Sequence, residues 1–289
     1  MEDGVVKYFI KKLDDSLSLM DISKSIELFD SDIVYLGGSL IEGQVNQLSL
    51  GMGNVQSDID VFIIRKDDEY QKTGSVYERV YKKTKFAYVR QFKLDIEIYP
   101  VKMVQTLIEI ANRISLDIDT RVDNSIELPS YISFFSYNSF ISRLFNSVCL
   151  KNEDAFNLLK NKIDVRKYLY LCQNKAMNEL DNLLQDAKGN LYENELDVAL
   201  LCVRQAFFEF VKCFLYTKGQ FVDRDKWLPL KLRNYQATGN NDATAMYEKY
   251  VGLFKSDLTN KDRLTESLHN TIRFIVVKLE EIQYGDELI

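Results

Sequence analysis

Two aspartates separated by a single residue carry the strongest chemical signal in this sequence. Asp58 and Asp60 precede the apolar run Val61–Ile64, which is typical of a buried strand. Because side chains alternate along a strand, we expect both carboxylates on one face, with Ile59 and Val61 toward the core. Two neighbouring carboxylates repel each other unless a cation lies between them. Ligands that offer only oxygen favour Mg²⁺ or Mn²⁺ over zinc.

A glycine-serine turn lies upstream of these aspartates. The apolar run Ile33–Leu36 is followed at once by Gly37, Gly38 and Ser39, so the sequence predicts a strand that ends in a tight turn. Glycine lets the backbone approach a phosphate closely, and the serine adds a hydroxyl donor. Gly38 and Ser39 are therefore candidate phosphate-binding residues.

A further acidic residue is expected from a neighbouring strand. The strand-like run 93–99 carries Asp95 and Glu97 on one face. Three carboxylates around two divalent ions suit an in-line displacement at a nucleotide phosphate, and Asp95 is the candidate for the third. The role of Glu97 stays open between a base, a contact to the acceptor and a salt-bridge partner of Lys93 or Arg90.

The combination of GGS, SDIDVF and LDIEIY resembles the nucleotidyltransferase superfamily typified by DNA polymerase beta. Within that superfamily it is most similar to the small-molecule, aminoglycoside-type enzymes, over Tyr35–Tyr99. The resemblance implies a small mixed sheet with the metal site and a helical domain that completes the nucleotide cleft. It also implies the following roles: triphosphate binding by Gly38 and Ser39, binding of two Mg²⁺ or Mn²⁺ ions by Asp58 and Asp60, and Asp95 as the third carboxylate. The segment Gln44–Met52 departs from the compact family pattern as an insertion of unassigned role.

The pattern along the chain predicts an α+β protein with two domains. A catalytic nucleotidyltransferase domain is expected over 1–125, and an all-helical domain that completes the nucleotide and acceptor cleft over 126–289. The period of the apolar residues predicts strands at Ile33–Leu36, Asp60–Ile64, 86–92 and 93–99. The same analysis predicts one or two helices within 5–30 and a helical period from Val101 onward, with Leu107, Ile110 and Ile114 in one helix. Further helices are predicted at Phe134–Leu150, 153–185, 194–217 and 262–283.

Composition excludes several classes of function. The chain has 289 residues, a formal net charge of −6 and one histidine, His269, so catalytic triads and histidine-rich zinc sites are hard to build. Its four cysteines lack CxxC spacing, which favours buried reduced thiols. The acidic balance argues against an extended nucleic-acid footprint. With no secretory signal and no apolar run of membrane-spanning length, we expect a cytoplasmic protein without a membrane partner.

These observations favour a metal-dependent nucleotidyltransferase. Its partners would be an NTP donor and a small-molecule acceptor with a hydroxyl group, and pyrophosphate would be released. In the helical half, Lys226 is a candidate nucleotide contact beside Trp227. One alternative keeps the chemistry with an NTP as acceptor, which gives a cyclic or linear oligonucleotide second messenger. Another is a non-catalytic or protein-modifying nucleotide-binding module. The acceptor, the preferred base and the oligomeric state stay open.

Overall fold

The computed structural model describes residues 6–45, 49–74, 77–114, 126–255 and 259–285. By their contacts these residues divide into two compact units. The first contains the described residues up to Arg113 together with Ile126–Asp164, and the second contains Ile114 and the described residues from Val165 onward. The chain is an α+β protein, as predicted. The contacts thus join Ile126–Asp164 to the N-terminal unit, whereas the functional boundary at residue 125 stays a prediction.

One mixed sheet organises the first unit. Within the described ranges its six strands are β3 (Ile33–Gly37), β4 (Ile59–Arg65), β5 (Tyr77–Arg79), β6 (Lys82–Val89), β7 (Phe92–Pro100) and β8 (Val148–Lys151). Their order across the sheet is β5-β6-β7-β4-β3-β8. The central pair β4–β7 is parallel, and the other neighbours are antiparallel. The four predicted strands are confirmed, although β6 ends before 90 because Arg90 adopts a positive φ of 54° in the turn to β7.

Burial on both faces explains why β4 is almost continuously apolar. Val61 and Ile63 join a core cluster with residues of β3 and β7, while Phe62 on the other face stacks on Tyr35 with ring centroids 5.0 Å apart. A strand that is paired on both sides and covered on both faces has no row of side chains that faces solvent, so its sequence is almost continuously apolar. Asp60 is the one partly exposed residue of this strand, since the other six are buried.

The N-terminal residues correct the sequence analysis. The helices predicted within 5–30 are wrong for most of that range, which forms a hairpin of β1 (Lys7–Ile10) and β2 (Asp15–Ser18) before the short helix α1 (Leu19–Ser23). Asp14 makes the turn with a φ of 52°. Apolar residues at helical spacing were misleading here, because the hairpin buries Ile10 and Leu17 against the sheet core.

Four further helices belong to the first unit in its described residues: α2 (Asp67–Lys72), α3 (Val101–Asn112), α4 (Phe134–Phe145) and α5 (Glu153–Lys160). The predicted helix at Phe134–Leu150 is correct only as far as Phe145. Asn146 leaves the helical conformation, and the Ser147 hydroxyl donates to the Leu144 carbonyl oxygen at 2.7 Å. The chain then pairs with β3 as strand β8, so its last residues extend the sheet instead of the helix.

The second unit is helical in its described residues. It contains α6 (Val165–Tyr192), α7 (Leu196–Thr217), a 3₁₀ turn at Asp225–Trp227, α8 (Leu228–Ala237), α9 (Asn241–Phe254) and α10 (Lys261–Gly285). The predicted helices at 194–217 and 262–283 are confirmed, and the stretch 153–185 is split into α5 and α6. Its core contains mainly buried aliphatic residues of α6 and α7, together with the rings of Tyr168, Phe207, Phe210 and Phe214. Across the described part of the chain, no helix combines the length and apolarity needed to cross a bilayer.

Candidate active site

Gly38 lies at the end of β3 in a conformation that favours glycine. Its φ is +75°, and its carbonyl oxygen accepts hydrogen bonds from the backbone N–H groups of Ile41 and Glu42 at 3.1 and 2.9 Å. A Cβ atom built on Gly38 would overlap the Asp60 carboxylate. The predicted glycine turn is therefore present. Because Gly38 has no side chain, its backbone lies directly against the carboxylate of Asp60.

Ser39 begins the turn that follows. Its carbonyl oxygen accepts hydrogen bonds from the N–H groups of Met52 and Gly53, both at 2.7 Å, and a Cβ on Gly53 would lie 2.8 Å from the Ser39 hydroxyl. The far end of the predicted Gln44–Met52 insertion thus returns to the glycine-serine turn. Residues 46–48 of that insertion lie outside the described residues.

Gln44, at the start of the insertion, has a structural role. Its side chain is buried and donates to the Tyr8 hydroxyl at 2.8 Å and to the Phe9 carbonyl oxygen at 2.7 Å, while it accepts from the Lys11 N–H at 3.0 Å. These three bonds fasten the turn after β3 to the N-terminal hairpin.

Strand register brings Asp60 and Asp95 together. Asp60 is the pairing partner of Gly37 on β3 and of Asp95 on β7. Neighbouring strands lie about 4.8 Å apart, and paired residues place their side chains on the same face. The two carboxylates are therefore adjacent on one face of the sheet, next to the glycine turn.

Burial and neighbouring charges act on Asp95. Burial raises the pKa of the Asp95 carboxyl above its ordinary value, and the negative charges of Glu97 and Asp58 raise it further, against the opposing effect of Lys82 and Arg143. Its Oδ1 atom is buried without a hydrogen-bond partner. A buried carboxylate oxygen that lacks a protein donor is costly, and it indicates a ligand such as a cation or a water molecule.

Asp58 lies just before β4, and its side chain is more exposed than that of Asp60. Its Oδ2 atom accepts a hydrogen bond from Lys93 Nζ at 3.0 Å, and about a third of its side chain is exposed (34%). The bond to Asp58 raises the pKa of the Lys93 ammonium group. The sequence offers Lys93 as a partner of Glu97, but in the structure Lys93 pairs with Asp58. Ile59 and Leu94 are partners in the parallel pair β4–β7, so the residues just before them, Asp58 and Lys93, also lie side by side.

Glu97 is a salt-bridge partner, one of the three roles left open by the sequence. It forms ion pairs with Lys82 and with Arg143, whose Nη1 lies 3.6 Å from Glu97 Oε1, and accepts a hydrogen bond from the Tyr99 hydroxyl at 2.6 Å. Burial alone would raise the pKa of Glu97, but the two cations and the hydrogen bonds outweigh burial and hold the pKa below its ordinary value. Arg90, the other partner considered, pairs with Asp15 instead.

Arg143 and Lys82 are residues of this site that sequence analysis missed. Arg143 extends from α4, its Nη2 atom lies 3.9 Å from Asp60 Oδ1, and its guanidinium carbon lies 5.6 Å from the centre of the Phe62 ring. It thereby connects the carboxylates of β4 and β7. No local motif marks an arginine in the last turn of a helix as a site residue, whereas Lys82 could have been found from the alternation of β6 once its register with β7 was known.

The carboxylate set fits a divalent cation in part. Among the described residues, no group of three or more His, Cys, Asp or Glu side chains is arranged to hold a metal ion together. Asp60 and Asp95 are adjacent, offer only oxygen, and include the buried Oδ1 atom without a donor. These two residues fit a Mg²⁺-like ion, and Asp58 could join them only after releasing Lys93.

Lys226, the predicted nucleotide contact of the helical half, is exposed on the 3₁₀ turn of the second unit. Its Nζ atom lies 4.6 Å from the centre of the neighbouring Trp227 ring, which is a cation–π contact. The structure brings together Gly38, Ser39, Asp58, Asp60 and Asp95 within the first unit. A role for Lys226 in nucleotide binding stays a prediction.

The chain was compared with known proteins in three ways. A scan against protein-family models found no match, and a search of curated proteins also found none. A search of solved structures found a nucleotidyltransferase-like protein from Exiguobacterium sibiricum 255-15. The two chains are 11% identical with a TM-score of 0.43, and the alignment covers 88% of this chain and 73% of the other.

Proposed function

We propose that this chain is a divalent-metal-dependent nucleotidyltransferase. It would transfer a nucleoside monophosphate from an NTP to a hydroxyl group of a small molecule and release pyrophosphate. The observation that carries the proposal is the alignment of Gly37, Asp60 and Asp95 on three adjacent strands, with Gly38 directly against the Asp60 carboxylate. The backbone at Gly38, which a phosphate could approach closely, thus lies beside the carboxylates of Asp60 and Asp95, which could bind a cation.

The donor would lie with its phosphates on the glycine-serine turn. Gly38 allows close approach of the backbone, and the Ser39 hydroxyl is available as a donor to a phosphate oxygen. A divalent ion held by Asp60 and Asp95, with Asp58 after release of Lys93, would neutralise negative charge on the phosphates. Two ions per site, as the family resemblance implies, remain part of the proposal.

The transfer balances without any further reagent. The acceptor hydroxyl oxygen forms a bond to the α-phosphorus, and the bond from that phosphorus to the oxygen shared with the β-phosphorus breaks. Pyrophosphate leaves with the electron pair of the broken bond, and the hydroxyl proton passes to the carboxylate of Asp95. Arg143 and Lys82 limit the negative charge of this region by pairing with Glu97.

Thermal unfolding with and without ligands tests the donor site. A ligand that binds only the native state raises the melting temperature. We expect at least one of ATP, GTP, CTP and UTP to raise it in the presence of Mg²⁺, and we expect this rise to vanish in Asp60→Asn. The control is Asp68→Asn, which removes an exposed carboxylate from α2. A rise that is equal in both variants, or no rise with any NTP, would contradict the proposal.

A further inference from the structure

Three exposed aromatic side chains lie on the two outer strands next to the candidate active site. Tyr77 on β5 and Phe86 and Tyr88 on β6 are 59%, 47% and 71% exposed. The rings of Tyr77 and Phe86 contact each other with centroids 5.7 Å apart and an interplanar angle of 66°. We refer to these three residues as the aromatic platform. Large rings left together in solvent indicate a binding surface more often than rings that are scattered singly.

The register of the sheet places this platform on the face that carries the carboxylates. Phe86 is the pairing partner of Asp95, and Tyr88 is the pairing partner of Lys93. Paired residues of antiparallel strands share a face. The contacts agree with this arrangement, because Lys93 Nζ lies 5.8 Å from the centre of the Phe86 ring and also bonds to Asp58.

The order of the strands then separates two sides of the site. Across the sheet, the glycine-serine turn follows β3, Asp60 lies on β4, Asp95 on β7, and the platform on β6 and β5. In an in-line displacement, the attacking oxygen and the leaving oxygen are on opposite sides of the phosphorus. If the triphosphate lies on the turn, the acceptor must approach from the side of the platform.

We propose that the aromatic platform binds the acceptor, and that the acceptor carries a planar aromatic ring beside its reactive hydroxyl group. This inference rests on the proposed function and adds the chemical class of the second substrate. A flat ring can stack on Phe86 or Tyr88 while its hydroxyl group lies over Asp95, one strand away. Two sources share this chemistry, namely an aryl-substituted small molecule and the nucleoside part of a second nucleotide.

Matched pairs of probes test the ring requirement by direct binding. Phenyl and methyl β-D-glucopyranoside carry the same sugar hydroxyl groups and differ in the ring, and adenosine and methyl β-D-ribofuranoside form a second pair. Saturation-transfer NMR measures their dissociation constants in the full chain. We expect the ring-bearing member of at least one pair to bind more tightly, and we expect Phe86→Leu or Tyr88→Leu to weaken it about tenfold.

The control variant is Tyr192→Leu, which removes an even more exposed ring from α6 in the second unit. It should leave probe binding unchanged. Equal binding by both members of each pair, or equal binding by the wild type and the two platform variants, overturns the proposal. Melting temperatures of all variants show whether they are folded.

The same variants separate this inference from the proposed function. If NTP and Mg²⁺ still stabilise Phe86→Leu and Tyr88→Leu while probe binding is unchanged, the platform proposal fails and the donor site stands. If no NTP stabilises the wild type but ring-dependent probe binding is lost in the platform variants, the donor site fails and the platform stands. Mass spectrometry of products distinguishes the two sources, since an oligonucleotide formed from NTP alone indicates a nucleotide acceptor.

Discussion

Strand β4 begins and ends in ionic clusters of opposite character. At its end, Arg65 forms a two-pronged pair with Asp32, with Nε–Oδ1 and Nη2–Oδ2 distances of 2.9 and 2.7 Å, and both side chains are fully buried. The guanidinium group also donates to the Thr73 hydroxyl and to the Glu27 carbonyl oxygen at 2.6 and 2.8 Å. At the beginning of the strand, three carboxylates pair with three cations: Asp58 with Lys93, Asp60 with Arg143, and Glu97 with Lys82 and Arg143. A fourth carboxylate, Asp95, is the pairing partner of Asp60 on β7.

The difference lies in how completely the charges are satisfied. Every charged oxygen of the Asp32 pair has a donor at short range, as a buried ion pair requires. In the other cluster, the buried Oδ1 atom of Asp95 has no hydrogen-bond donor. The Asp32 pair is satisfied by protein groups alone, whereas under the proposed function the second cluster would complete its contacts with a bound cation. Substitutions at the two ends should therefore affect different measurements.

The largest effect is expected for Asp60→Asn. Loss of this carboxylate removes a candidate metal ligand, and metal-ion stabilisation of transition-state charge is worth several kcal/mol, which corresponds to about a thousandfold in rate. Stability should not fall, because the substitution also relieves repulsion from Asp95. Pyrophosphate release and urea unfolding measure the two effects. A variant that retains turnover would show that the cluster is structural.

Asp32→Asn should produce the opposite result. It leaves the Arg65 charge buried without its partner, which costs about 3–5 kcal/mol in the free energy of unfolding. Below its lowered melting temperature the variant should still bind NTP with Mg²⁺. Asp30→Asn is the matched control, because Asp30 lies two residues away and is exposed. If urea unfolding gives both variants the same stability, the Asp32 pair does not support the fold.

This contrast also explains what the sequence could and could not predict. Local spacing was sufficient to predict the turn at Gly38 and the strand positions of Asp60 and Asp95, because a turn and the alternation of a strand are properties of a few consecutive residues. The functional roles of these residues stay predictions. The partners of these residues depend on register and on distant segments. Arg143 lies on α4, which begins at Phe134, well after the end of β7 at Pro100, and Lys93 pairs with Asp58 because β4 and β7 are parallel.

The errors in the fold have the same origin. The hairpin β1–β2 has apolar residues that fit a helical period by chance, and only its burial against the sheet core decides for strands. Similarly, Val148–Lys151 continues the apolar pattern of α4, but the open edge of β3 offers backbone hydrogen bonds that a longer helix could not make. Tertiary pairing outweighed local periodicity in both places.

Gly38→Ala should have an intermediate effect. An alanine at a φ of +75° costs about 1–3 kcal/mol in backbone strain, and its Cβ would also overlap the Asp60 carboxylate. Gly219→Ala provides the control, because Gly219 has a φ of +72° and its Cβ would meet no atom within 4 Å. We expect both variants to lose stability in urea, and only Gly38→Ala to lose stabilisation by NTP and Mg²⁺. Retention of that stabilisation would argue against phosphate binding at the turn.

The smallest effect is expected for Lys93→Met, which tests whether the protein's own cation competes with the metal. Lys93 is 44% exposed and bonds to Asp58, so its loss should leave the urea unfolding midpoint unchanged. The freed Asp58 can then join Asp60 and Asp95, and the dissociation constant for Mn²⁺, measured by the electron paramagnetic resonance of the free ion, should fall by up to about fivefold. If Mn²⁺ binding is unchanged and NTP binding weakens instead, Lys93 contacts a phosphate group of the donor. Lys93 would then leave Asp58 when the NTP binds, and the metal ion that arrives with the NTP would balance the charge of Asp58.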